Sequence, residues 1–76
     1  KPDPEMYLLA CKRAGFVPEE CAVVEDSRNG CVSGITAGCH VFAVPDIVPL
    51  PQDVVDGCDA VLDTLFDLTA AVKAVR

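Results

Sequence analysis

Glu25 and Asp26 are adjacent carboxylates at the end of the apolar run Ala22–Val23–Val24, and Ser27-Arg28-Asn29-Gly30 follows them. An apolar run without alternation suits a strand covered on both faces, the usual state in a parallel α/β sheet. Ligands of such sheets collect beyond the carboxyl ends of the strands, which is where these two side chains are expected. Two hard oxygen donors there suit Mg²⁺ better than zinc or copper. Consecutive strand residues point to opposite faces, so Asp26 is the better candidate for direct ligation. Glu25 joins it only if the backbone has already turned at the strand end. The competing reading is structural, with Asp26 or Ser27 simply capping the next helix. Ser27, Arg28 and Asn29 stand as residues able to bond a metal ligand, and helix capping explains Ser27 equally well. Arg28 either reaches a substrate or pairs with Glu25 or Asp26, the commoner arrangement.

The remaining reactive residues carry less. Five cysteines occur (Cys11, Cys21, Cys31, Cys39 and Cys58), an odd number, with no C-x-x-C pair. They read as free buried thiols acting as small hydrophobes, which fits a reducing, cytoplasmic setting. His40 has no second histidine beside it, so a structural role is expected rather than metal binding. Tyr7, Phe16, Phe42 and Phe66 are too dispersed for a base-stacking platform and read as core or edge residues. The net charge of −6 and the few scattered basic residues argue against nucleic acid. No apolar run approaches the roughly 18–20 residues that span a bilayer.

These residues need elements to place them. Seventy-six residues form at most one small domain, yet the chain is 51% hydrophobic and begins at Lys1 without an initiator Met. It therefore reads as a piece of a longer protein, residues 1–76 being a partial α/β domain. The pattern predicts a helix from about Pro4 to Ala14, capped by Asp3 and stopped by Gly15. Its inner face is expected to carry Met6, Tyr7, Ala10, Cys11 and Ala14. A strand over Cys21–Glu25, a helix over Arg28–Ala37 and a strand over Cys39–Val44 then make a β-α-β unit. Gly30 and Gly34 let that helix approach the sheet, and Gly38 caps it. A proline-punctuated loop over Asp46–Pro51 and at best a helical turn over Gln52–Gly57 follow. A short strand over Asp59–Leu62 and an amphipathic helix from Leu65 to Val75 complete the chain. The fold expected is a Rossmann-like parallel sheet with helices on both faces.

Lys1-Pro2-Asp3-Pro4 with Tyr7, then Val23-Val24-Glu25-Asp26-Ser27 and Gly30, then Ala37-Gly38 and Val44-Pro45, resembles the C-terminal part of a haloacid dehalogenase-like hydrolase. Within that superfamily the chain is most similar to the β-phosphoglucomutase-like branch of sugar-phosphate phosphatases and mutases. The resemblance implies phosphoryl transfer through an aspartyl-phosphate. It implies that Lys1 bridges the nucleophilic carboxylate and the substrate phosphate, damping their repulsion. It also implies that Glu25 and Asp26 hold Mg²⁺, which neutralises charge on the transferring group. The implied partners are a small phosphorylated metabolite and the remainder of the same chain.

Three parts of the family pattern are missing: the Asp-x-Asp strand end, the phosphate-gripping Ser or Thr, and the cap domain that selects substrate. Asp46, Asp53, Asp56, Asp59, Asp63 and Asp67 all lack the Asp-x-Asp context. These residues are thus expected to supply half an active site. Two readings from other classes stand beside this one. One is a receiver-like Mg²⁺-binding interaction module, although such modules present their acidic residues before the lysine, the reverse of the order here. The other is a catalytically inert fragment kept for binding or structure.

Overall fold

The computed structural model describes residues 3–45, 49–63 and 67–68. Helix α1, Glu5–Ala14, starts one residue later than the sequence suggests, because Pro4 takes the capping position with helical backbone angles. Asp3 still satisfies a free amide there, its Oδ1 accepting from the Glu5 N–H at 2.9 Å. The helix ends at Gly15, whose φ of 83° suits glycine, while Lys12 and Arg13 face the negative end of the helix dipole.

A single 3₁₀ turn at Pro18–Glu20 leads into strand β1, Ala22–Glu25. Helix α2, Arg28–Ala37, opens with the Ser27 Oγ accepting from the Gly30 N–H at 3.1 Å and closes at Gly38, φ 90°. Strand β2, His40–Ala43, helix α3, Gln52–Gly57, and strand β3, Ala60–Val61, follow. The three strands are parallel in the order β1-β2-β3, with Ala22 beside His40, Glu25 beside Ala43 and Phe42 beside Ala60. This is the α/β architecture expected. The strands are shorter than the apolar runs, because Cys21, Cys39 and Val44 lie outside the paired segments.

The core forms where α2 and α3 meet the sheet. Cys31 of α2, Val41 and Ala43 of β2 and Val54 of α3 are buried together, with Val23, Ile35 and Leu50 packed around them. Gly34 makes this approach possible: a Cβ there would lie 2.6 Å from a Val23 methyl and 2.8 Å from a Val41 methyl. Two expectations need correction. Among the described residues β1 is not covered on both faces, since Val23 turns toward α2 while Val24 remains 43% exposed. Met6 lies off the inner face of α1 and is 74% exposed; Tyr7, Ala10, Cys11 and Ala14 line a groove of about 450 Å³ against β1.

Gln52–Gly57 is a true helix rather than a bare turn. Burial of Val54 and a bond from Gln52 Nε2 to Asp56 Oδ1, 2.9 Å, hold it. His40 is structural as expected: its Nδ1 lies 3.2 Å from Asp59 Oδ2 and its Nε2 3.0 Å from the Glu19 carbonyl. Asp59 Oδ2 also accepts from the Val41 N–H at 2.8 Å, so one carboxylate extends the β2–β3 ladder. All five cysteines are free. Among the described residues no helix is long and apolar enough to cross a membrane. The expected helix over Leu65–Val75, Asp46 and Lys1 lie outside the described residues, apart from Asp67 and Leu68 of that helix.

Candidate active site

Parallel pairing brings the ends of β1 and β2 to one edge, where the Val44 N–H donates to the Glu25 carbonyl at 2.8 Å. Pairing therefore holds the backbone as far as Glu25 and releases it at Asp26. The two carboxylates meet different surroundings, Glu25 partly covered and Asp26 exposed. Glu25 follows the strand alternation onto the α2 side, where its carboxylate lies under the first turn of α2 against Gly30. A Cβ on Gly30 would collide with it. The Tyr7 hydroxyl, reaching across from α1, donates to Glu25 Oε2. Burial, and secondly the charge of Asp26, push the Glu25 carboxyl above its ordinary value.

Asp26 is exposed and makes no hydrogen bond or ion pair among the described residues, which leaves both its oxygens available. Ser27 is occupied as the cap of α2. Arg28 pairs with neither carboxylate, contrary to expectation. Its Nη1 donates instead to Asn29 Oδ1 at 3.2 Å, because Glu25 is drawn beneath the helix on whose first turn Arg28 stands exposed. Arg28 and Asn29 thus bond each other at the helix start.

A metal would find both oxygens of Asp26 here and a neighbouring Glu25 carboxylate that Tyr7 already bonds through Oε2. Among the described residues no group of three or more His, Cys, Asp or Glu side chains is placed to hold a metal ion. That set still fits Mg²⁺, which commonly takes one or two carboxylates and completes its shell with water and phosphate oxygens. The sequence marks Tyr7 only as a core or edge residue, and its bond to Glu25 emerges from the fold. The available signal was a tyrosine on the inner face of a helix, whose hydroxyl needs a partner when covered.

A family model for haloacid dehalogenase-like hydrolases matches residues 1–38, which contain both carboxylates and the whole of α2. The chain belongs to this family. It is 44% identical over 69 residues to hexitol phosphatase A of Escherichia coli, covering 91% of this chain and 31% of that protein. Among solved structures it superposes on a haloacid dehalogenase family hydrolase of Deinococcus radiodurans, solved with bound phosphate and sodium. The TM-score is 0.77 at 32% identity, over 97% of this chain and 34% of that one. A putative β-phosphoglucomutase of Bacteroides vulgatus gives a TM-score of 0.79 at 30% identity, over 100% of this chain and 33% of that one. The chain thus spans about a third of the length of these members of the hydrolase family.

Proposed function

We propose that this chain is the metal-binding and phosphate-bridging portion of a Mg²⁺-dependent phosphoryl-transfer enzyme, a phosphatase or phosphomutase acting on a small sugar phosphate or similar metabolite. The observation that carries the reading is the Glu25–Asp26 pair at the carboxyl edge of the parallel sheet, with Asp26 free of other bonds among the described residues. Relatives named as phosphatases of phosphorylated compounds support the substrate class. Five free thiols suit a reducing compartment, and we place the enzyme in the cytoplasm.

Asp26 and Glu25 would hold the metal, and when bound it would neutralise charge on the transferring phosphoryl group. The chain's own residues act around it. Tyr7 and Gly30 fix the Glu25 carboxylate in one orientation. Ser27 anchors the start of α2 and so the turn that carries Asp26. Lys1 would set a compact positive charge between a nucleophilic aspartate elsewhere in the whole protein and the incoming phosphate. That charge lowers the cost of bringing two anions together on the way to an aspartyl-phosphate.

The test is hydrolysis of a generic phosphate ester by the whole protein, titrated with Mg²⁺. Asp26→Asn should weaken Mg²⁺ affinity by at least about tenfold while leaving the melting temperature unchanged. Full activity of the variant at low Mg²⁺ would overturn the assigned role.

A further inference from the structure

Three thiols, those of Cys11, Cys21 and Cys39, gather away from the carboxylates, at the end of the sheet where the strands begin. Cys11, in the last turns of α1, and Cys39, directly before β2, bring their Sγ atoms to 3.9 Å. Cys21, directly before β1, stands beside Cys11, while Cys31 and Cys58 form a separate pair within the core. The backbones of Cys11 and Cys39 are both pinned. The Cys11 carbonyl accepts from the Phe16 N–H at 3.0 Å, and the Cys39 N–H donates to the Gly34 carbonyl at 3.1 Å. Each belongs to the closing turn of a helix, so the approach of the two sulfurs is built into the fold. A disulfide bond is about 2.05 Å long, so closing this gap asks each sulfur to move about 1 Å by side-chain rotation. Cys11 is buried, whereas Cys39 is partly open to solvent and can meet a small oxidant.

We propose that Cys11 and Cys39 form an oxidisable dithiol, a modification site that a hydroperoxide closes to a disulfide. The Cys39 sulfur, on losing its proton, attacks the peroxide O–O bond and becomes a sulfenic acid, and the leaving oxygen departs as an alcohol or as water. The Cys11 sulfur then attacks the sulfenic sulfur. The S–S bond forms, and the hydroxyl leaves as water with the proton from Cys11. Two thiols lose two electrons and two protons, and the O–O bond accepts them. The site is slow by construction. Burial first, then the Cys11 thiol and Glu19, hold Cys39 up at about 11; the Cys11 thiol first, then burial, Cys39 and Glu20 do the same for Cys21. Few thiolates are present near neutral pH, and the thiolate is the reactive form. The bridge ties α1, and with it Tyr7, to the start of β2.

The purified protein is incubated with hydrogen peroxide under native conditions, the remaining thiols are alkylated, and the products are mapped as peptides. The expected result is a Cys11–Cys39 linked peptide as the main cross-link, reversed by dithiothreitol. It should persist in Cys21→Ser, disappear in Cys39→Ser, and lose its dominance when the protein is oxidised in denaturant. The proposal fails if Cys11 and Cys39 are recovered alkylated, if Cys21 replaces Cys39 in the link, or if native and unfolded protein give the same cross-links.

Discussion

Glu25 places one carboxylate under opposing demands. The Tyr7 hydroxyl bonds it, which favours the charged form, while burial beneath α2 and the neighbouring Asp26 favour the neutral one and prevail. The consequence for stability has a definite sign. A carboxyl raised in the folded state binds its proton more tightly there than in the unfolded chain. Its contribution to stability therefore grows as pH falls through the folded-state value and levels off below the ordinary value of 4.5. In buffer with a chelator, Glu25→Gln should melt higher than the wild type at neutral pH, and the gap should shrink toward pH 4.5. Parallel melting curves across that range would sink the assignment. The carboxylate pair was legible from residue type and from its place after an apolar run. The placing of Glu25 was not, because it depends on Gly30 and Tyr7, and α1, which carries Tyr7, meets β1 only in the folded chain.

Elements with strong local signals were read nearly to the residue. Ser27 and Gly38 bound α2 because one offers a side-chain acceptor to free amides and the other takes φ 90° without a Cβ penalty. Gly34 was legible for the same reason: a glycine inside a helix between two apolar strands points to close packing. The structure supplies the magnitude. Gly34→Val would drive a branched side chain into methyls of Val23 and Val41 that a single Cβ already meets at 2.6 and 2.8 Å. A loss of about 1–3 kcal/mol is expected, measured by denaturant unfolding, with α2 displaced from the sheet. An unchanged midpoint would mean that α2 does not lie this close. The helix α3 was under-read because its six residues lack an amphipathic period long enough to register. Its stability comes from Val54 in the shared core, a contact that exists only once the chain has folded, together with the local Gln52–Asp56 pair. The Met6 error has a similar origin. Periodicity names a face of α1 but not how wide a stripe the sheet covers, and here the stripe stops at Tyr7.

At the scale of the molecule, site and fold divide differently between this chain and the family members it resembles. It holds the carboxylates at the edge of β1, yet spans only 31% of the E. coli hexitol phosphatase. The 76 residues prepared alone should therefore show no Mg²⁺-dependent turnover of phosphate esters, whereas the whole protein should. Turnover by the short chain at a rate that survives repurification would contradict the division. β1 and β2 are neighbours joined by one short helical crossover, so the whole β1-α2-β2 unit closes within residues 22–43. Chain closure over so few residues costs little entropy, and pairings of low sequence separation form fast. The expected nucleus is this unit: truncating Val23 or Val41 should chiefly slow refolding, while truncating residues of α1 should chiefly hasten unfolding. The contact that seats α2 on the sheet would thus set the time needed to assemble the edge on which the carboxylates stand.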